Sequence, residues 1–181
     1  MESETPMKKK LIITIIFVII SGFIGLIIWG RVQYPYLSIV PGKTDHISKI
    51  SIDARETDLE KGIRTIYDAS NLHAESVMWK DLQTILEKTY YRKSFENIIP
   101  WFPDSKRGLR NINIIMVGKD NTYTINWDEN NFVEVMDIEG DNPMYRYYHI
   151  VDNKYFEELM SYIKTNIGSR NETMSPGGIA P

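Results

Sequence analysis

The chain has no cysteine among its 181 residues and only three histidines. Without cysteine there is no disulfide, no thiolate zinc site, no thiol nucleophile and no side chain to acylate. Exported eukaryotic domains of this size often carry disulfides, so their absence fits a bacterial exported domain better. Excess positive charge is missing as well, with 24 acidic against 21 basic residues and a net charge of −3. Setting aside Glu2, Glu4 and Lys8–Lys10 leaves 22 acidic and 18 basic residues, a net charge of −4. That balance excludes the basic face that nucleic acid requires. No HExxH, GxSxG, phosphate loop or SxxK is present, which removes the commonest metal, nucleophile and nucleotide chemistries. No catalytic residue, cofactor or metal ligand is therefore expected.

What the chain does have is one long apolar run, LIITIIFVIISGFIGLIIW from Leu11 to Trp29. As a helix it would reach roughly 28 Å, close to the hydrocarbon thickness of a bilayer. Lys8, Lys9 and Lys10 precede it and Arg31 follows, so the positive-inside rule puts the N-terminus in the cytoplasm. A cleaved signal peptide shares the basic start and apolar core. The run is longer than such a core, however, and the bulky WGRVQYPY that follows is a poor cleavage context. The reading adopted is a retained anchor: residues 1–10 cytoplasmic, 11–30 spanning the bilayer, and the rest extracytoplasmic.

Beyond the anchor, residues 31–45 carry Pro35, Pro41 and Gly42 and read as an extended linker. Residues 46–168 suit one compact domain. HISKISIDA alternates as a strand, and Ile63–Tyr67 can return as a second. Val77–Lys93 changes to helical spacing, with Met78, Leu82, Ile85 and Leu86 on one stripe and Ser76 as N-cap. Four strand candidates follow: NINIIMV, TYTINW, FVEVMDI and YRYYHIV, joined by Asp/Asn/Gly turns of the kind that connect antiparallel neighbours. Asn153–Ile167 reads as a closing helix with Phe156, Leu159, Met160 and Ile163 on its apolar side, and Gly168 suits its C′ position. Residues 169–181 read as a disordered tail. The expected order is ββα-ββββ-α, an α+β domain with two helices on one face of a mainly antiparallel sheet.

His46, His73 and His149 each sit where a structural role suffices. The acidic turns Asp128–Asn131 and Asp137–Asn142 could offer oxygens to calcium, but lack the spaced loop that a dedicated site uses. They also stand where turns want such residues. Tyr145, Tyr147 and Tyr148 crowd one strand; the alternate tyrosines read as its buried face, with an aromatic binding surface as the alternative. Trp101 and Phe102, between Pro100 and Pro103 in a stretch of no regular period, are the candidate partner-binding residues, because aromatic anchors dominate recognition surfaces.

MKKKLIITIIFVIISGFIGLIIW at Met7–Trp29, ISKISI at Ile47–Ile52 and YYHIVDNKYFEELMSYI at Tyr147–Ile163 together resemble a group of small single-pass membrane-anchored proteins of unknown function from Bacillus-like Firmicutes. In that group a tyrosine-rich final strand runs into a short closing helix. The resemblance implies a bacterial cell-envelope domain and transfers no functional residue. Two functions are consistent with these features. One is a non-enzymatic module that binds an envelope protein or other envelope component. The alternative is an envelope hydrolase using Asp or Glu to cleave glycans.

Overall fold

A computed structural model describes residues 6–40, 47–94, 97, 108–119, 121–139 and 142–174. It divides into two compact units, Met1–Val32 and Gln33–Pro181.

The first unit is one helix, α1 (Pro6–Arg31, 26 residues). Its segment Lys10–Arg31 is long and apolar enough to cross a membrane. Apolar side chains such as Ile13, Phe17, Val18 and Phe23 stand exposed along it, a surface that water penalises and lipid accepts. The polar Thr14 is satisfied within the helix, donating from Oγ1 to the Lys10 carbonyl at 3.0 Å, as a residue in hydrocarbon must be.

The second unit is an α+β domain around one antiparallel sheet. Its elements in chain order are β1 (Gln33–Pro35), α2 (Tyr36–Ile39), β2 (Lys49–Asp58), β3 (Ile63–Leu72), α3 (Val77–Lys88), β4 (Tyr90–Lys93), β5 (Arg110–Val117), β6 (Asn121–Asp128), β7 (Phe132–Glu139), β8 (Asn142–Ile150), α4 (Lys154–Asn166) and β9 (Ser169–Thr173). The nine strands lie in the order β1-β4-β8-β7-β6-β5-β2-β3-β9. The meander β5 to β8 sits centrally, as its short turns foretell. Asp128 shapes one of these turns by accepting the N–H groups of Asn130 and Phe132, while Asn131 takes a φ of 67°. Asn and Asp tolerate that left-handed conformation better than other side chains. Gly62, at φ 62°, closes the turn from β2 to β3.

Alternation places Ile50, Ile52 and Ala54 of β2, Ile112, Ile114 and Met116 of β5, and Tyr123, Ile125 and Trp127 of β6 on one face. This inner face packs into the core with Trp79, Leu82, Ile85 and Leu86 of α3 and Phe156, Leu159, Met160 and Ile163 of α4. Fully burying each large apolar side chain contributes about 1.5–3 kcal/mol. Trp127 sits at the centre, its ring 6.2 Å from Tyr91 and 6.0 Å from Phe156 between centroids. Ser76 caps α3 by accepting the Trp79 N–H.

Four expectations are corrected. The linker does not run from 31 to 45, because Gln33–Pro35 pairs with β4 and α2 buries Tyr36 and Ile39. The 77–93 helix stops at Lys88, since Thr89 adopts extended angles and Tyr90–Lys93 pairs with β8 as β4. The disordered tail expected over 169–181 does not begin at 169, because Ser169–Thr173 pairs with β3 as the edge strand β9. The order ββα-ββββ-α consequently gains β1, α2, β4 and β9, although the two main helices and the antiparallel α+β class stand. Gly168, for its part, is not in the left-handed region. His46 lies outside the described residues.

Candidate ligand-binding face

The same alternation that builds the core leaves a second face on the sheet. Register places Asp53, Asn113, Asn126, Glu134 and Tyr147 in one row across β2, β5, β6, β7 and β8. In the neighbouring row, Arg55 stands opposite Asn111. α3 and α4 pack on the inner face, and among the described residues the outer-face side chains are half-buried or exposed. A groove of about 250 Å³ runs over it, lined by Asp53, Arg55, Asn111, Asn113, Asn126 and Glu134, with Thr124 and Met136 at its side.

Two carboxylates, Asp53 and Glu134, and one guanidinium, Arg55, line the groove. Arg55 forks onto Asp53, with Nε 2.6 Å from Oδ1 and Nη2 3.3 Å from Oδ2. At its centre Asn113 faces Asn126 directly across β5 and β6. The carboxamide oxygens of both are shielded and have no hydrogen-bond partner among the described residues. A buried acceptor left unpaired costs about 1–3 kcal/mol, so an unmet hydrogen-bonding demand sits in the middle of the row. Asparagine is depleted in strand interiors. Three on one face of two adjacent strands serve the surface rather than the strand.

An aromatic group borders the row. Phe132 stacks on Tyr147 with centroids 5.7 Å apart, and His149 meets Phe132 at 5.7 Å edge-on. His149 Nε2 lies 3.1 Å from Ser94 Oγ. Among the described residues no hydrogen bond or ion pair joins a carboxylate to this imidazole. Asn97 ties the chain after β4 to the same strand, accepting the Tyr147 N–H and donating to the Tyr147 carbonyl.

Tyrosine placement reverses the reading from sequence. Tyr148 is the buried one, its phenol pKa raised by burial. Tyr145 is exposed and Tyr147 belongs to the outer face. Trp101 and Phe102 lie outside the described residues.

The acidic residues of the β6–β7 turn have structural work. Asp128 is buried, and desolvation raises its carboxyl pKa against the lowering effect of its backbone donors. Glu129 accepts the Leu109 N–H and pairs with Arg110 Nε at 2.7 Å. Arg110 also grips Glu157 of α4 through both terminal nitrogens, at 2.9 and 2.7 Å. Its guanidinium lies 5.5 Å from the Phe156 ring centroid. Glu157 is held below the ordinary carboxyl range chiefly by that hydrogen bond, and Arg110 is held charged by the two glutamates. Among the described residues no group of three or more His, Asp or Glu gathers to hold a metal ion.

Asp53 and Glu134 stand on strands three spacings apart, roughly 14 Å between their backbones. A second depression, of about 400 Å³, lies beside Ser48, His73 and Trp79, but its cation Lys80 is already paired with Glu75 at 2.7 Å.

Comparison with protein-family models, characterised proteins and solved structures finds no match to this chain. The sheet order and the outer-face geometry therefore carry the functional reading themselves.

Proposed function

We propose that the chain is a single-pass, membrane-anchored binding module of a bacterial cell envelope, with residues 11–30 in the bilayer, the N-terminus cytoplasmic and the α+β domain outside. The carrying observation is the group of asparagines, Asn111, Asn113 and Asn126, that lines an open groove on the sheet face opposite the core. Lys8–Lys10 before the span supports the orientation. The ligand is an envelope component or envelope protein that meets the groove with hydrogen-bonding groups, and Trp101 and Phe102 are proposed, from the sequence, as partner contacts.

The experiment has two arms. Protease added to intact protoplasts should digest the domain, and the anchor should resist carbonate extraction. Protection of the domain would overturn the orientation, and a mature N-terminus near Gln33 would overturn the anchor. Full-length protein in detergent should retain an envelope component that the Asn113→Ala/Asn126→Ala variant, equally stable, does not. Equal retention by both proteins would overturn the groove as the binding site.

A further inference from the structure

The two edges of the sheet are finished differently. At one edge β1 has three residues, and Pro35 has no N–H to offer, which blunts it against further pairing. At the other edge β9 reads Ser169-Arg170-Asn171-Glu172-Thr173, all five residues exposed, without proline or lysine. The pairs across β3 are Ile63 with Thr173, Thr65 with Asn171 and Tyr67 with Ser169. The Met174 N–H donates to the Gly62 carbonyl. Antiparallel alternation then directs the N–H and C=O of Arg170 and Glu172 toward β3, and those of Ser169, Asn171 and Thr173 out of the sheet. Among the described residues these three therefore present main-chain donors and acceptors without a strand partner on the outer edge of β9.

We infer that β9 pairs with β9 of a second copy of this chain, antiparallel about a two-fold axis at Asn171. In that register Asn171 faces its own copy and Ser169 faces Thr173, each pair exchanging two main-chain hydrogen bonds. Arg170 of one copy then faces Glu172 of the other, twice by symmetry. Those two positions are non-hydrogen-bonded pairs, where cross-strand side chains come closest. The sequence is therefore complementary to its own inverted copy, and the contact is isologous and closed. A strand lacking this charge order is repelled at one position or the other. Within one chain Arg170 has only slack ion pairs, 3.6 Å to Asp68 and 3.5 Å to Glu172, with its side chain 58% exposed, so it is available to a partner. The joined sheets would run continuously through eighteen strands, with both outer faces on the same side.

The absence of native cysteine makes the test clean. Full-length chain carrying Asn171→Cys, reconstituted in lipid vesicles and joined with a short bis-maleimide, should give a dimer. Ser161→Cys on the exposed side of α4 should give about tenfold less. Adding Arg170→Glu or Glu172→Arg to the Asn171→Cys chain should each lower the dimer yield about fivefold, because one reversal spoils two symmetric pairs. Combining the two reversals should restore it. Equal cross-linking of the Asn171→Cys and Ser161→Cys chains would overturn the self-pairing. So would no cross-linking of the Asn171→Cys chain, or failure of the double reversal to restore the yield. Circular dichroism of every variant confirms that an altered yield is not unfolding.

Discussion

The two faces of the sheet are built from the same strands and obey opposite rules. Ile112 and Ile114 of β5 are sealed beneath the helices, while Asn111 and Asn113, one residue away, line an open groove. Ile125 and Asn126 of β6 repeat the contrast. Because strand side chains alternate, stability and recognition can be assigned to consecutive residues without competing for position. The lesson is that neighbouring substitutions in this protein should have opposite consequences.

The inner face should give the largest effects. Trp127→Ala should cost roughly 3–5 kcal/mol and Leu159→Ala roughly 2–5 kcal/mol, lowering the melting temperature by about ten degrees in a domain of this size. Thermal denaturation measures both, and a loss under about half a kcal/mol at Leu159 would mean that α4 is not docked as described.

A smaller effect is expected where α4 is tied to the β6–β7 turn. Glu157→Gln should cost about 0.5 kcal/mol at neutral pH, a modest figure because the Glu157 side chain is half exposed. The folded-state pKa of Glu157 is depressed below its ordinary value of 4.5. Its contribution is thus present above 4.5 and is lost as pH falls through the folded value. Urea titrations at neutral and acid pH should show the gap between wild type and variant closing on acidification. Asp128 carries the opposite sign, because its pKa is raised by burial. Asp128→Asn, which keeps the turn acceptor and removes the buried charge, should leave stability unchanged or slightly higher at neutral pH.

On the outer face stability should hardly respond. Asn113→Ala and Asn126→Ala should shift stability by no more than about 0.5 kcal/mol while ligand retention falls, since an unpaired buried acceptor is removed. A cost of about 2 kcal/mol or more would show that the asparagines serve the fold. Trp101→Ala and Phe102→Ala are expected to move melting least of all while reducing capture. A loss of about 3–5 kcal/mol at either would place that ring in a core.

How much of this was readable in advance depended on whether burial stamped a period on the residues. β5 to β8 alternate cleanly and are joined by short turns, so strands and neighbours could both be inferred. α4 was equally plain from Phe156, Leu159, Met160 and Ile163. β4 was not, because Tyr90 continues the helical spacing of Leu82 and Leu86, and its true partners in β1 and β8 lie more than fifty residues away along the chain. β9 was invisible for another reason: with all five side chains exposed it carries no burial pattern, and its place is set by pairing with β3. The groove was half legible. The asparagines of NINIIMV and TYTINW fall on alternate positions, but only the register brings Asn113 opposite Asn126. The cluster of tyrosines was assigned to the wrong side of β8 for the same reason, since alternation alone does not say which set faces the helices.

The strand order also sets a timetable for folding. The central meander needs only neighbouring segments, but β2 joins β5 through pairs such as Ile50 with Met116, and β3 joins β9 through Thr65 with Asn171. β1 waits for β4, which itself needs His149 opposite Arg92. Contacts so distant along the chain pay a loop-closure cost before they return any stability, and they slow the search. A chain delivered N-terminus first can close the β2–β3 hairpin at once, but β1 then waits for β4, β2 for β5, and β3 for β9, the last strand delivered. Refolding should accordingly be slow, on the millisecond-to-second scale of non-local β topologies.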